Sequence, residues 1–338
     1  MTVTLKNVAE QAGLSWQTVS KVLNGQGHLF RPETRQRVIS TAHEMGYVPN
    51  AAARTMRSQK TRQIGLLLRN EDGHRFHNLA AFTLLLGINS RLEPEDYLLN
   101  VVRIGDLGNR RRSRVFREHV LDGLIAFSHF PDTVVDWVTE QMPRCLWVDS
   151  NRDDEHNCLR RDESQVGRCV AEHIVSLGYR RVLWAGMSVS PSGHFSLHDR
   201  SDAIVETCAA RGIAFDTLTP WSKPEQKRWI YTQLPQLLKP DTVVVAYNTH
   251  AAQAVLVGAS SLGLTIGRDY GLVCCDETPE VYEAWPGLCR VTNDRFEMGR
   301  QAADMMLSVL NNKTHQVASR RIPGQWIIGN TAWGPKRT

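Results

Sequence analysis

Four side chains near the start of the chain have the chemistry to read a nucleic acid. They are Trp16, Gln17, Ser20 and Lys21. On one exposed helical face, they could hydrogen-bond to base edges and phosphates or pack against bases. The alternative is an ordinary helical hairpin with a solvated polar face.

The apolar pattern around these side chains predicts two short helices. The first has its apolar face at Leu5, Val8 and Ala12, and the second at Val19, Val22 and Leu23. Gly13 is expected to end the first helix and Ser15 to cap the second, which leaves a turn of about three residues. Two helices joined this tightly predict a helix-turn-helix.

A third helix and a short segment follow. Pro32 and Glu33 favour a helix start, and Gly46 favours its end. Its predicted apolar face consists of Val38, Ile39, Ala42 and Met45. The Ala-rich stretch up to Arg57 is roughly seven or eight residues, too short for a stable isolated helix, so we expect it to fold against a partner.

The charge is unevenly distributed. Residues 1–60 hold eight Lys/Arg and three Asp/Glu, a net charge of +5 that equals the formal charge of the 338-residue chain. A basic segment on a neutral remainder favours a nucleic-acid partner, whereas a basic face alone would more often be merely solvated.

The composition limits the class of protein. A length of 338 residues predicts two or three domains. Seven cysteines without a C-x-x-C pair are expected to be buried, reduced thiols. Without a pattern typical of a signal peptide or a membrane helix, we expect a cytoplasmic protein.

From residue 61 onward, the pattern alternates between strands and helices. The predicted strands are Ile64–Leu68, Leu98–Ile104, Leu124–Phe127, Cys145–Val148, Val182–Ala185, Thr242–Ala246 and Leu272–Cys275. The predicted helices include Ser164–Leu177, Asp202–Arg211 and Ala251–Leu262. This alternation favours parallel α/β sheets.

Polar and aromatic residues that follow the predicted strands are candidates for a ligand pocket, because ligands collect at the carboxyl ends of parallel strands. They are His74, Arg75, Phe76, His77, Asp149, Arg200, Trp221, Asn248 and Asp276. Carboxylates and a guanidinium can pair with vicinal hydroxyls, and an indole can stack on a sugar ring. The set therefore favours a polyhydroxylated ligand, although capping or core roles remain open.

The motif order resembles the LacI/GalR family of bacterial transcriptional repressors. The resemblance is carried by the stretch from Val8 to Asn24, by Pro32-Glu33-Thr34-Arg35, by Gly46-Tyr47-Val48-Pro49-Asn50 with Ala53-Arg54, and by Thr61 with Ile64-Gly65-Leu66-Leu67. It implies an N-terminal all-α headpiece with a hinge helix and a two-lobed, periplasmic-binding-protein-like α/β body. The implied domains are 1–60 and 61–338, with lobe 1 at about 62–161 and 292–320 and lobe 2 at about 162–291 and 321–338.

The resemblance also implies how such a headpiece binds DNA. The helix-turn-helix would read the major groove, and Met56, where leucine is usual, would wedge into the minor groove. The loop from Gly25 to Arg31 looks about one residue longer than usual. The predicted DNA contacts are Ser15, Trp16, Gln17, Thr18, Ser20, Lys21, Asn24, His28, Thr34, Asn50, Ala53, Arg54 and Met56.

For the body, the resemblance implies a small-molecule effector between the lobes. The predicted effector residues are Arg75, Phe76, Asp149, Arg200, Trp221, Asn248 and Asp276. Thr249 stands where Asp is usual, Cys274-Cys275 replace Gly and an aromatic residue, and the loop from Glu71 to Ala81 is longer than usual. A sugar is the expected effector class, with a sugar acid or a nucleobase as alternatives.

Two other classes of protein fit the sequence less well. An enzyme is disfavoured because the chain carries no G-x-G-x-x-G, P-loop, G-x-S-x-G or H-E-x-x-H motif. A solute-binding protein without a DNA function is disfavoured by the helix-turn-helix. The pairs His74/His77 and His194/His198 have metal-ligand spacing, but no cysteine lies beside them and no metal or cofactor is expected. With no heptads after Trp333, we expect a homodimer that reads a palindromic operator.

Overall fold

The computed structural model describes residues 3–48, 60–69, 79–104, 114–118, 120–186, 193–218, 234–277 and 285–334. The chain divides into two compact units, Met1–Thr61 and Arg62–Thr338, which we call the headpiece and the body. Positions 49–59, which include most of the predicted hinge, lie outside the described residues.

The headpiece contains helices α1 (Leu5–Ala12), α2 (Trp16–Lys21) and α3 (Pro32–Glu44) around a small core. These bounds confirm the three predicted helices. The core consists of Val8, Ala9, Val19, Val22, Val38 and Ala42. Ile39 does not belong to it: that prediction was wrong, because Val38 and Ala42 take the inward positions and Ile39 is 42% exposed.

The connection between α2 and α3 is not a simple loop. A wide helical turn, Val22–Gln26, is followed by a 3₁₀ turn, Gly27–Leu29. Gly25 has φ of 87°, a left-handed conformation that glycine adopts without steric cost.

The body contains two six-stranded sheets. The first has the order β11-β5-β4-β3-β1-β2, and its paired strands run parallel. Its strands are β1 (Gln63–Arg69), β2 (Leu98–Ile104), β3 (Gly123–Phe127), β4 (Cys145–Val148), β5 (Cys158–Arg161) and β11 (Arg320–Ile322).

The second sheet has the order β12-β10-β9-β8-β6-β7, and only its β10–β12 pair is antiparallel among the described strands. Its strands are β6 (Arg181–Ala185), β7 (Ala214–Thr217), β8 (Thr242–Ala246), β9 (Gly271–Cys274), β10 (Cys289–Thr292) and β12 (Gln325–Ile327). Strands enter both sheets in the same relative order, although the sequence shows no internal repeat.

Helices cover the sheets. They are α4 (Leu79–Leu92), α5 (Arg114–Arg117), α6 (Asp132–Gln141), α7 (Glu163–Leu177), α8 (Phe195–Ala210), α9 (Thr249–Ser261) and α10 (Arg295–Asn311). Although α10 follows β10 of the second sheet, it packs against α4 and the first sheet. The two helices approach closely at Gly87 and Gly299, where a Cβ on either glycine would collide with the opposite backbone.

The sequence located seven of the described strands and missed five. The missed strands are β5, β7, β10, β11 and β12. They are three or four residues long, and several carry arginines or exposed side chains, so they lack the apolar run on which the prediction depended. The predicted start of α8 at Asp202 was also wrong, because the helix begins at Phe195.

Candidate nucleic-acid interface and interlobe site

Two caps position the helix-turn-helix. Gly13 ends α1 in the left-handed conformation, with φ of 63°. The Ser15 Oγ accepts a hydrogen bond of 3.1 Å from the Thr18 backbone N–H, which satisfies a free donor at the start of α2. Ser15 and Thr18 also share a 2.8 Å hydroxyl contact. Ser15 and Thr18, which are both predicted DNA contacts, therefore stabilise the start of α2.

The outer face of α2 presents three of the predicted base-reading side chains. Trp16 is 48% exposed, and Gln17 and Lys21 are exposed as well. Val19 on the opposite side is fully buried. The face therefore offers an indole, an amide and an ammonium group to a partner.

The prediction that Ser20 belongs to the exposed polar face was wrong. Ser20 is 8% exposed, because it follows the core residue Val19 and the turn after α2 covers it. The Asn24 amide donates hydrogen bonds to the Ser20 carbonyl at 2.6 Å and to its Oγ at 3.2 Å. Ser20 thus stabilises the wide turn after α2.

The remaining predicted DNA contacts fall into two groups. Asn24 and His28 are exposed, and Thr34 is half-buried in the first turn of α3. The predicted hinge contacts lie outside the described residues: Asn50, Ala53, Arg54 and Met56.

In the body, six charged side chains meet where strands of both sheets end; we call them the interlobe cluster. They are Asp149, Arg161, Glu163, Arg200, Asp276 and Arg295. Three arginines and three carboxylates balance in formal charge, and every member has a side chain at most 14% exposed.

Glu163 lies at the centre of one half of the cluster. Its carboxylate accepts from Arg200 through Nε and through Nη2, the latter at 2.9 Å, and it lies 2.7 Å from Nη1 of Arg161. Arg200 Nη1 donates to the Tyr247 carbonyl at 2.7 Å. All three guanidinium nitrogens of Arg200 are therefore engaged within the protein.

Arg200 was expected after a loop, but it lies in α8 and is 1% exposed. The structure brings it together with the other predicted residues Asp149 and Asp276. Its guanidinium is held by Glu163, however, and is not presented to solvent.

Asp149 and Asp276 join the two sheets to the cluster. Asp149, directly after β4, accepts from Arg161 Nε at 3.0 Å on each carboxylate oxygen. Asp276, two residues beyond β9, accepts two bonds from Nη2 of Arg295, at 3.0 and 2.8 Å. The first pair lies within the first sheet, whereas the second connects α10 with the second sheet.

The cluster keeps Asp149 and Asp276 ionised. Burial by itself would raise the pKa of Asp149 and Asp276, but neighbouring arginines outweigh it, so the pKa of both carboxyl groups lies below the usual range. For Arg161 and Arg200, burial acts to lower the pKa, yet nearby carboxylates raise it above the ordinary value. All four groups are thus charged.

A neutral hydrogen-bond chain borders the cluster. His194 Nε2 donates to the Asp149 carbonyl at 2.9 Å, and its Nδ1 accepts from the Ser196 hydroxyl at 2.8 Å. The Tyr247 hydroxyl lies 2.6 Å from Ser196 Oγ. Burial lowers the pKa of His194, which favours the neutral imidazole that this bonding requires.

Two buried residues carry polar atoms without hydrogen bonds to the described residues: Asn293, directly after β10, and the cluster member Arg295. Asn293 is 7% exposed, and neither its amide nitrogen nor its amide oxygen has a partner in the described part of the chain. The same holds for Nε of Arg295, which is also 7% exposed. Buried polar atoms without partners are costly, so these atoms indicate a place for polar atoms of a ligand or water.

Of the other predicted effector residues, the structure describes only Asn248. Asn248 caps α9, its Oδ1 accepting from the Ala251 N–H at 3.0 Å. Arg75, Phe76 and Trp221 lie outside the described residues, as do His74 and His77.

Three members of the cluster, Arg161, Glu163 and Arg295, were not predicted from the sequence. Arg161 follows Arg160 in the sequence, and the two residues are 4% and 6% exposed. Glu163 and Arg295 each occupy the first turn of a helix, where charged residues usually face water. The missed signal was their position at the ends of two short strands: Arg161 ends Cys158–Arg161, Glu163 follows that strand by two residues, and Arg295 follows Cys289–Thr292 by three.

Metal and membrane features are absent from the described part. There, no group of three or more His, Cys, Asp or Glu side chains is arranged to hold a metal ion. No helix within the described ranges has both the length and the apolar character to cross a bilayer. The seven cysteines are free, as predicted; six are buried, whereas Cys169 is half-buried and departs from the predicted burial.

Comparisons with protein families match both units of the chain. Residues 4–50 match the family described as bacterial regulatory proteins, lacI family, and residues 171–332 match the periplasmic binding protein-like domain. Among curated relatives, the HTH-type transcriptional repressor MelR of Bacillus subtilis (strain 168) is 27% identical over 325 residues, covering 92% of each chain. The ribose operon repressor of the same organism is 24% identical over 327 residues, covering 96% of this chain and 97% of that one.

Solved structures share the fold. The lac repressor dimer bound to operator and the anti-inducer ONPF superposes with a TM-score of 0.77 at 21% identity, covering 98% of this chain and 99% of that one. A complex of the transcriptional regulator CelR with cellobiose gives a TM-score of 0.67 at 19% identity, covering 97% and 99%.

The match of the headpiece, the match of the body and the near-complete coverage of these repressors agree. The chain carries a lacI-family DNA-binding domain and a periplasmic binding protein-like domain, and its curated relatives include repressors of this type, as the motif order predicted. It is a DNA-binding transcriptional regulator with a ligand-binding body, and not an enzyme.

Proposed function

We propose that the chain is a homodimeric repressor that binds a palindromic operator and is controlled by an uncharged sugar bound at the interlobe cluster. Residues 1–60 would supply the headpiece and hinge, and residues 61–338 the effector and dimer functions. Such a regulator would work in the cytoplasm, at the nucleoid.

One observation carries the effector site. Six buried charges meet at the carboxyl ends of strands from both sheets, and the unpartnered Asn293 directly follows β10, two residues before the cluster member Arg295. Ligands of open α/β sheets bind at such strand ends. Hydroxyl groups can both donate and accept, so a polyol can satisfy the unpartnered atoms of Asn293 and Arg295.

The balance of charge favours an uncharged ligand over a sugar acid. Arg161, Arg200 and Arg295 are matched by equally many buried carboxylates. A ligand carboxylate would add an uncompensated negative charge to a site shielded from water, which is costly. The ribose operon repressor and the cellobiose complex of CelR are relatives whose names point to sugars.

The exposed face of α2 supports the DNA-binding half of the proposal. Trp16, Gln17 and Lys21 point outward from a headpiece whose core is closed on the other side. Two such headpieces, related by a two-fold axis, would read a palindromic site of roughly 14–20 base pairs.

A two-part experiment tests the proposal. Operator sequences are selected from random duplexes with the full-length protein, and ligands are sought by thermal shift with a library of neutral sugars and matched sugar acids. We expect a palindromic consensus and a rise in melting temperature with a neutral sugar that also changes operator affinity. A Gln17→Ala variant should lose base preference while keeping the ligand shift; Gln36→Ala, an exposed glutamine of α3, is the matched control. Absence of sequence preference, or stabilisation by sugar acids alone, would contradict the proposal.

A further inference from the structure

We propose that the Arg295–Asp276 ion pair is a latch that holds the two sheets of the body at a fixed angle before any effector binds. Its consequence for regulation rests on the proposed function, whereas the latch itself does not. The effector would then act by sharing or replacing this pair.

The two partners belong to different halves of the body. Arg295 is the first residue of α10, whose apolar side packs on the first sheet through Met298, Met305 and other core residues. Asp276 follows β9 in the second sheet. The two bonds between them, 3.0 and 2.8 Å from a single guanidinium nitrogen, therefore span the sheets.

Asp276 holds Arg295 more firmly than any other carboxylate does. Nη1 of Arg295 lies 3.6 Å from Asp149, beyond hydrogen-bond distance, and Nε has no partner in the described residues. Arg161 and Arg200 approach Asp276 only to 3.6 and 3.8 Å. If the two sheets move apart, Arg295 therefore loses its two hydrogen bonds to Asp276. No other carboxylate of the described residues lies within hydrogen-bond distance of Arg295 to replace them.

Burial makes the latch sensitive to the loss of one partner. The side chains of Arg295 and Asp276 are 7% and 14% exposed, so removal of either leaves a charge that is poorly solvated. A charge left in this way is stabilised if the surrounding elements move apart and admit water. Removal of both charges leaves the remaining four cluster members balanced, so the closed arrangement should return.

The latch is tested by distances between spin labels in the ligand-free, full-length protein. Labels are placed on cysteines at Glu140 of α6 and Glu206 of α8, which are exposed and pack on the first and second sheet respectively. The half-buried Cys169 is replaced by serine. Excess unlabelled protein restricts the measurement to distances within one chain.

We expect a single narrow distance distribution in the parent and a broader or longer one in Arg295→Met and in Asp276→Asn. The Arg295→Met/Asp276→Asn double variant should return towards the narrow distribution. Arg91→Met is the matched control, because the Arg91–Asp304 ion pair joins α4 and α10 on the same side of the body. Unchanged distributions in both folded single variants, or equal broadening in Arg91→Met, would overturn the latch.

A second measurement separates the latch from the proposed function. Operator affinity without added sugar is compared for the parent and Arg295→Met on the selected duplex. A severalfold change in affinity, with the distance change, supports a latch that sets the DNA-binding state. A distance change with unaltered operator affinity would confine the latch to the body and overturn its regulatory role. If no operator is obtained, the proposed function fails while the label distances still decide the latch.

Discussion

The headpiece and the interlobe cluster use polar side chains in opposite ways. In the headpiece, Trp16, Gln17 and Lys21 stand in water above a small apolar core. In the cluster, Glu163 and Arg200 are at most 1% exposed and bind each other. One region therefore directs its chemistry outward to a partner, and the other satisfies it internally.

This difference predicts whether a substitution changes partner recognition or stability. An exposed side chain contributes little to folding, so its removal should change recognition and leave stability nearly intact. A buried charge depends on its partners, so its removal should first change stability and conformation.

Glu163→Gln should destabilise the body most. The variant removes the charge that compensates Arg161 and Arg200, and breaking such a buried pair costs about 3–5 kcal/mol. Urea denaturation followed by circular dichroism measures the loss. Glu172→Gln, an exposed position on the same helix, should stay within about 0.5 kcal/mol of the parent. A Glu163→Gln loss below about 1 kcal/mol would show that the cluster does not depend on this carboxylate.

Gln17→Ala should weaken specific operator binding while preserving the fold. A bidentate amide contact to a base discriminates by about 1–3 kcal/mol, so the preferred duplex should lose roughly ten- to a hundredfold in affinity. Fluorescence anisotropy with selected and scrambled duplexes measures the change, and thermal melting checks the fold. Equal loss on both duplexes would assign Gln17 to the phosphate backbone instead.

The stability of the body should fall as the pH decreases from neutrality. The pKa of His194 in the folded protein lies below its ordinary value of 6.5 because of burial, so the unfolded chain binds a proton first as the pH falls. The resulting slope is at most about 1.4 kcal/mol per pH unit for one proton, between pH 6.5 and the folded pKa. Asp149 and Asp276, with lowered pKa values, add a further loss at lower pH.

His194→Gln should flatten the slope just below pH 6.5 and leave the acidic part unchanged. The comparison uses unfolding free energies measured from pH 7.5 to 5, with the exposed His250→Gln as control. If His194→Gln and the parent have parallel curves throughout this range, another group is responsible.

Arg91→Met should have the smallest effect. Its ion pairs with Asp304 and Glu95 are partly exposed, with side chains between 28% and 49% accessible, and such pairs contribute about 0–1 kcal/mol. The same denaturation measurement as for Glu163→Gln applies. A loss of stability as large as that of Glu163→Gln would show that burial does not explain why the cluster ion pairs stabilise the body more than an exposed pair does.

The three helices of the headpiece could be predicted because their determinants are local. Gly13, Ser15 and Pro32 set helix ends within a few residues of themselves, whereas the apolar spacing wrongly included Ile39 in the core. Ser20 escaped prediction because its burial depends on the turn that follows α2. The strands with apolar runs were predictable for the same local reason.

The candidate site was predictable only in part. Asp149 and Asp276 could be placed because each follows a recognisable strand. Arg161 and Arg295 could not, since the strands beside them are only four residues long and carry charged residues. Nor could the sequence show that Arg200 would be occupied by Glu163, 37 residues away.

The helix-turn-helix, the strand–helix alternation and the charged residues near the strand ends all follow from the local sequence. Those properties follow from periodicity and from caps that act over a few residues. Only the tertiary structure decided which charges lose contact with water and which carboxylate each arginine binds. Contacts such as that between Arg295 and Asp276 form because separate sheets bring their strand ends together, and burial then makes pairing obligatory.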